Sequence, residues 1–151
     1  MLNGDGLRVV LWVSGCNHNC PGCHNPQTHD PNSGLLFTQE TFMEIIAELE
    51  KEHVSGITLS GGDPLFPSNR EGVLDIVKTI KHLYPNKTIW LYTGYNWNDI
   101  CGLPLMKYVD VVVEGRFIKG ISIPSPKWRG SSNQRIINVN NELKQHFYNR
   151  K

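Results

Sequence analysis

The sequence has no strong excess of charge of either sign. Its 151 residues carry 15 lysines and arginines against 14 aspartates and glutamates, which leaves a formal net charge of +1. That balance gives no reason to expect binding to nucleic acid or to a membrane surface. No apolar run approaches the roughly 20 residues that span a bilayer, and the first dozen residues lack the pattern of a signal peptide. We therefore expect a cytoplasmic protein with no nucleic-acid or membrane partner.

Cysteine is scarce, and its placement argues against a disulfide framework. Three of the 4 cysteines, Cys16, Cys20 and Cys23, are crowded together, and Cys101 is far away. Such crowding suits a metal or a cluster better than paired disulfides. The sequence also lacks a persuasive pairing of a nucleophile with a general base. Its chemistry is therefore expected to depend on a bound metal or cofactor.

Strands alternate with helices along the chain. Apolar runs predict strands over residues 7–13, 57–59, 88–92 and 108–113, with a possible last strand over 135–139. The first predicted helix begins after an N-cap at Thr38. Three further helices are predicted over 73–80, 97–106 and 141–148. The helix prediction over 97–106 is weakened by Gly102 and Pro104. This alternation predicts one α/β domain over 1–151 with a mostly parallel sheet.

Four or five strands are too few for a closed eight-stranded barrel, so a partial barrel or an open sheet is expected. In both arrangements the loops after parallel strands meet at one edge. The cysteine loop follows the first predicted strand and SGGDP the second, whereas TGY follows the third and EGR the fourth. We therefore expect these four segments to lie together.

The cysteine loop has the spacing Cys16-x3-Cys20-x2-Cys23. A cubane iron–sulfur cluster normally takes four cysteines, so three would leave one iron open to a small molecule. An open coordination position is typical of catalytic centres and is absent from structural ones. The alternative is a structural zinc site that adds a fourth ligand. The candidates for that ligand are His18, His24, His29 and Cys101.

The segment Ser60-Gly61-Gly62-Asp63-Pro64 follows its strand directly. Two glycines let a backbone approach a ligand closely, and their N–H and C=O groups can bind its ammonium and carboxylate ends. The same residues could equally form only a tight turn. The position beside the cysteine loop favours the binding hypothesis.

Together these motifs resemble a known family. VSGCNHNCPGCHNP, SGGDPLFPSNR, IWLYTGY, YVDVVVEGRF and WRGSSNQR resemble, in this order, the anaerobic ribonucleoside-triphosphate reductase activating proteins. That family belongs to the radical S-adenosylmethionine enzymes. The similarity runs from about Asn3 to about Arg135. It implies a minimal partial (β/α) barrel of the radical S-adenosylmethionine type.

The resemblance also implies roles for individual residues. Cys16, Cys20 and Cys23 would ligate a [4Fe–4S] cluster. The residues implied to face S-adenosylmethionine are Gly22, Cys23, His24, Gly61, Gly62, Asp63, Thr93, Glu114 and Arg116. Three of these depart from the family pattern, since His24 stands where Tyr is common and Glu114-Gly115-Arg116 stands for Asp-Gly-Lys.

The implied reaction is a reductive cleavage of S-adenosylmethionine to a 5′-deoxyadenosyl radical. This radical would remove hydrogen from a glycine near the C-terminus of the reductase large subunit, with an electron donor such as flavodoxin. Two alternatives stay open. One is activation of another glycyl radical enzyme such as pyruvate formate-lyase, and the other is a non-catalytic zinc or iron–sulfur binding module.

Overall fold

The computed structural model describes residues 3–121 and 127–148. The strands are β1 (Leu7–Val13), β2 (Val54–Gly61), β3 (Thr88–Tyr92), β4 (Val111–Glu114) and β5 (Arg135–Asn138). The α-helices are α1 (Gln39–Leu49), α2 (Arg70–Leu83), α3 (Trp97–Ile100) and α4 (Val139–Tyr148). Short 3-10 helices cover Pro26–Thr28, Pro67–Asn69 and Pro104–Lys107.

The five strands form one sheet in the order β1-β2-β3-β4-β5. Strands β1 to β4 are parallel to their neighbours, and β5 is antiparallel to β4. The prediction of an α/β fold with a mostly parallel sheet is therefore confirmed. Within the described residues β1 and β5 are the two edges of the sheet and do not pair with each other. Unpaired edges agree with both arrangements that the sequence predicts, an open sheet and a partial barrel, and the barrel itself is not confirmed.

Helix α1 begins where the sequence predicts. The Thr38 side chain accepts a hydrogen bond from the backbone N–H of Thr41, which satisfies one of the free donors at the helix start. The helix buries Ile45, Ile46 and Leu49 against the sheet. Residues three and four positions apart lie on one face of a helix, so these three apolar side chains can all face the sheet.

The predicted helix over 97–106 is wrong in its extent. Helix α3 has a single turn, Trp97–Ile100, and a separate 3-10 helix begins at Pro104. Proline has no N–H for the helical ladder, and its ring clashes with the preceding turn. Helix α2 is longer than predicted, since it starts at Arg70 and buries Val73, Val77 and Ile80. Strand β2 likewise extends well beyond 57–59.

The two faces of the sheet differ in chemistry. Successive residues of a strand point to opposite faces. Ile57 and Leu59 of β2 and Ile89 and Leu91 of β3 belong to the apolar core with the helices. The other face carries polar and aromatic side chains, among them Arg8, Thr58, Ser60, Trp90 and Tyr92. None of the helices in the described residues is long and apolar enough to cross a membrane.

Candidate functional site

The loops after β1, β2, β3 and β4 line one pocket at the carboxyl edge of the sheet. The first loop contributes Cys16, Cys20 and Cys23, and the second contributes Gly61 and Gly62. Farther along the chain, Thr93, Gly115 and Phe117 complete the opposite wall. The expectation that these four segments meet is confirmed. The parallel order of the strands is the reason, because it places all four strand ends at the same edge.

The cysteine loop is closed on itself by backbone hydrogen bonds. The N–H of Cys16 donates to the carbonyl of His29 at 3.0 Å, and the N–H of Cys23 donates to the carbonyl of Cys20 at 3.0 Å. Asn19 and Gly22 have φ of 50° and 72°, which allows the chain to reverse between the cysteines. The three thiols are therefore held on a short, ordered turn.

The thiols differ in their immediate surroundings. The sulfur of Cys23 lies 3.4 Å from the backbone nitrogen of Asn25 and 3.4 Å from Nε2 of His29. Burial raises the pKa of the Cys16 thiol above its usual value. A metal would offset this effect, because a coordinating thiol is deprotonated by the metal's charge.

Neither a zinc site nor a cluster site is preassembled among the described residues. No group of three or more His, Cys, Asp or Glu side chains among them is arranged to hold a metal ion. A cubane cluster makes a different demand, because its cysteines each bind a separate iron. Cys101 lies at the end of α3, where its sulfur donates to the carbonyl of Asn98 at 3.8 Å. It does not line the pocket.

Asp63 lies beneath the pocket and does not line it. The residue is buried, at 1% exposure. One carboxylate oxygen accepts from the backbone N–H of Leu65 at 2.8 Å, and the other from that of Gly94 at 2.9 Å. The hydroxyl of Thr93 lies 3.0 Å from both oxygens. Nε2 of His18 is 2.6 Å from the second oxygen. Asp63 thus joins the first three loops.

The two glycines before Asp63 are required by the backbone itself. The N–H of Gly62 donates to the carbonyl of Val13 at 2.8 Å. A Cβ on Gly62 would lie 2.7 Å from the carbonyl oxygens of both Gly15 and Thr28. Gly61 has φ of 111°, a conformation that favours glycine. The turn therefore fits tightly against the cysteine loop as well as lining the pocket.

The remaining predicted residues divide between the pocket and its supports. His24 lines the pocket, and its ring lies 4.6 Å from that of Phe117. Gly22 does not line the pocket and instead packs beside the Lys119 side chain. Glu114 is buried and accepts from the backbone N–H of Trp97 at 2.7 Å. The guanidinium of Arg116 donates to the carbonyl of His18.

The WRGSSNQR segment closes the far side of the pocket. The side-chain oxygen of Gln134 accepts from the backbone N–H groups of Gly130 and Ser131 at 2.7 and 3.1 Å. Its amide nitrogen donates to the carbonyl of Gly115 at 2.9 Å. Gly130 and Gln134 both line the pocket. Neither residue was assigned to the site from the sequence, although WRGSSNQR is among the motifs that carry the family resemblance.

Ser60 and Tyr92 also line the pocket, and of the two only Ser60 belongs to a segment expected to bind a ligand. Both lie near the carboxyl ends of their strands, on the face opposite the helical core. The hydroxyl of Tyr92 donates to the carbonyl of Trp128 at 2.8 Å. Burial raises the pKa of Tyr92 to about 12. The strand alternation could have identified Tyr92, since it directly precedes the predicted TGY loop.

Three cysteines on one loop at the carboxyl edge of a parallel sheet are a donor set of the kind that iron–sulfur proteins use. A family model described as a 4Fe-4S single cluster domain matches residues 2–137. The names of the similar proteins indicate a more specific family than this model does. An anaerobic ribonucleoside-triphosphate reductase-activating protein of Enterobacteria phage T4 is 48% identical over 136 residues, covering 89% of this chain and 86% of its own.

Relatives with the same name occur in bacteria. The protein of Vibrio cholerae is 44% identical over 140 residues, 90% of each chain. That of Escherichia coli K12 is 42% identical over 138 residues, covering 89% of this chain and 90% of its own. The chain therefore belongs to the family of anaerobic ribonucleoside-triphosphate reductase-activating proteins. No solved structure gives a significant match.

Proposed function

We propose that this protein activates an anaerobic ribonucleoside-triphosphate reductase by radical S-adenosylmethionine chemistry. The observation that carries the proposal is the convergence of Cys16, Cys20 and Cys23 with the loops after β2, β3 and β4 on one pocket. Family membership supports the reductase as the target. A non-catalytic binding module would hold a cluster or zinc without cleaving S-adenosylmethionine, and that outcome separates it from this proposal.

The donor set fits a [4Fe–4S] cluster. Three thiolates would ligate three of the four irons, and the fourth iron would keep a position for S-adenosylmethionine. The partly buried loop of Cys16, Cys20 and Cys23 supplies these thiolates from one short segment. The compartment we propose is the reducing cytosol, because such thiols stay free of disulfides there.

The neighbouring walls suit S-adenosylmethionine. Ser60, Gly61 and Gly62 bring polar backbone and hydroxyl groups beside the cysteines, where the methionine end would bind. The rings of His24 and Phe117, tilted by 49° to each other, form an aromatic wall of the pocket against which the adenine would pack. The consecutive order of β1 to β4 is that of a (β/α) barrel cut short, in keeping with the minimal partial barrel that the resemblance implies.

We assign positioning roles to three residues first expected to touch the cofactor. Asp63 holds His18 and the loop after β3, and Glu114 holds the start of α3. Arg116 holds the carbonyl of His18 between two cluster cysteines. Their side chains are already engaged with protein groups, so they act by orienting the residues that do line the pocket.

When bound and reduced, the cluster together with S-adenosylmethionine would supply a 5′-deoxyadenosyl radical that removes hydrogen from a C-terminal glycine of the reductase. The protein's own contribution is to bind both groups, orient them and limit water. No side chain is needed as a general acid or base. The open edge of the pocket leaves room for a protein loop to enter, and an external donor such as flavodoxin would deliver the electron.

The test begins with anaerobic reconstitution with iron and sulfide. We expect about four irons per chain and an air-sensitive brown colour. Cys16→Ser, Cys20→Ser and Cys23→Ser should each lose the cluster, whereas Cys101→Ser should keep it because that thiol lies outside the pocket. A colourless protein with one tightly bound zinc would overturn the cluster assignment.

The second stage adds S-adenosylmethionine, a reductant and the purified reductase. We expect 5′-deoxyadenosine and methionine, followed by a glycyl radical doublet in the electron paramagnetic resonance (EPR) spectrum of the reductase. Cleavage without a doublet on that reductase, but with one on pyruvate formate-lyase, would reassign the target and leave the cluster chemistry intact.

A further inference from the structure

His29 connects two of the three cysteines through different parts of the same residue. Its backbone carbonyl accepts from the N–H of Cys16 at 3.0 Å. Its side-chain Nε2 lies 3.4 Å from the sulfur of Cys23. The ring lines the pocket, and the function proposed above gives it no role.

The local fold holds His29 in this place. It caps the 3-10 helix Pro26–Thr28, and its N–H donates to the carbonyl of Pro26 at 3.2 Å. The preceding residue is fixed as well, because the carbonyl of Thr28 accepts from the N–H of Gly15 at 2.8 Å. With its backbone bonded on both sides, the imidazole is carried to Cys23 by a short ordered segment.

The direction of this hydrogen bond follows from the chemistry of a ligating cysteine. A cluster ligand is a thiolate, which has no hydrogen to donate. The contact with Nε2 can then be a hydrogen bond only if the imidazole donates, which assigns the hydrogen to Nε2. The backbone N–H of Asn25 approaches the same sulfur at 3.4 Å.

We propose that His29 raises the reduction potential of the cluster by donating a hydrogen bond from Nε2 to the sulfur of Cys23. Reduction adds one negative charge to the cluster, and an N–H group directed at a ligating sulfur stabilises that charge. Hydrogen bonds to the sulfurs are among the factors that set such potentials. This inference rests on the proposed function, since it requires the cluster to be present.

The experiment compares the cluster's midpoint potential in three variants at about pH 8, where free imidazole is neutral. His29→Phe keeps a planar ring and loses the donor, whereas His29→Gln keeps an N–H donor. His53→Phe is the control, because His53 is exposed and does not line the pocket. Potentials are read from EPR-monitored redox titrations without S-adenosylmethionine.

We expect His29→Phe to lower the one-electron reduction equilibrium constant about tenfold, which is about 59 mV. His29→Gln should recover most of that change, and His53→Phe should stay close to the original protein. Iron content and thermal melting, measured alongside, separate a change of potential from simple loss of structure. A role confined to supporting the loop would alter these two quantities and leave the potential where it was.

Equal potentials in His29→Phe and the original protein, both with intact clusters, would overturn this inference and leave the proposed function standing. Loss of the cluster from both His29 variants would also overturn it, because His29 would then be a ligand or a loop support. If the original protein took up zinc and no cluster, the proposed function would fail together with this inference. That outcome is distinguished by metal analysis alone.

Discussion

Replacing Asp63 by asparagine tests whether the buried carboxylate holds the loops of the site together. Asparagine has nearly the same shape, so packing around the position is kept. One carboxylate oxygen is replaced by an NH2 group, which donates and cannot accept. The oxygen of the new amide can still accept from Leu65 and Thr93. The NH2 group would then face the N–H of Gly94 and Nε2 of His18, now 2.9 and 2.6 Å from the second oxygen.

The magnitude follows from the donors left without an acceptor. A buried donor that loses its partner costs about 1–3 kcal/mol. His18 can recover part of this cost by moving its hydrogen to the other ring nitrogen, whereas the backbone N–H of Gly94 has no such freedom. We therefore expect Asp63→Asn to lower the free energy of unfolding by about 2–4 kcal/mol. That is a large share of the 5–15 kcal/mol typical of a domain.

The assay is urea unfolding of the cluster-free protein under reducing conditions, followed by circular dichroism. Asp75→Asn provides the matched control, because Asp75 is exposed on α2 and should change stability by no more than about 0.5 kcal/mol. Thr93→Val, which removes one donor to Asp63, should give an intermediate loss. A loss for Asp63→Asn as small as that of the control would refute the reasoning.

Three further predictions concern single residues, each measured by urea unfolding. Gly62→Ala should cost about 1–3 kcal/mol of stability, because its Cβ would lie 2.7 Å from two carbonyl oxygens. The control Gly72→Ala on α2, whose Cβ would meet nothing within 4 Å, should stabilise the protein by about 0.5–1 kcal/mol. Equal losses of stability in the two variants would contradict this prediction. Thr38→Ala should cost about 1 kcal/mol through loss of the α1 N-cap, and no change would show that the cap is dispensable. Burial raises the pKa of Tyr92 in the folded protein to about 12, above the unfolded value of about 10. The contribution of Tyr92 to the free energy of unfolding is therefore complete below about pH 10 and is lost as the pH rises toward 12. Because this side chain is partly exposed, Tyr92→Phe should reduce that alkaline loss by about 1–2 kcal/mol, and parallel pH profiles would contradict the assignment.

The strands and longer helices were predictable because their signals are local. The limits of β1 and β3 agree with the apolar runs, and the Thr38 cap marks the start of α1. Errors occurred where local signals compete. Across 97–106 an apolar helical spacing meets Gly102 and Pro104, and the proline divides the segment. The order of the strands in the sheet, with β1 and β5 at its edges among the described residues, depends on strand pairing, which apolar periodicity does not encode.

The candidate site shows the same division. The cysteine spacing and the parallel order of strands were enough to bring the four loops to one edge. They did not show that Glu114 turns inward to the N–H of Trp97 or that Gln134 clamps the opposite wall. Both contacts join segments that are separated in the chain, by 17 and 19 positions respectively. The prediction treated Glu114 by its motif alone, and a motif does not specify which way a side chain points.

The cysteine loop makes the distinction clearest. The sequence by itself determined that three thiols lie on one short turn after a strand, because spacing along a chain is a covalent property. Only the tertiary structure decided the roles of its histidines, since each depends on what the fold brings near. His18 meets Asp63, which is 45 positions away, and His29 returns to Cys23 through a short 3-10 helix. Those contacts arise from packing and from the need of buried polar groups for partners, which no local pattern records.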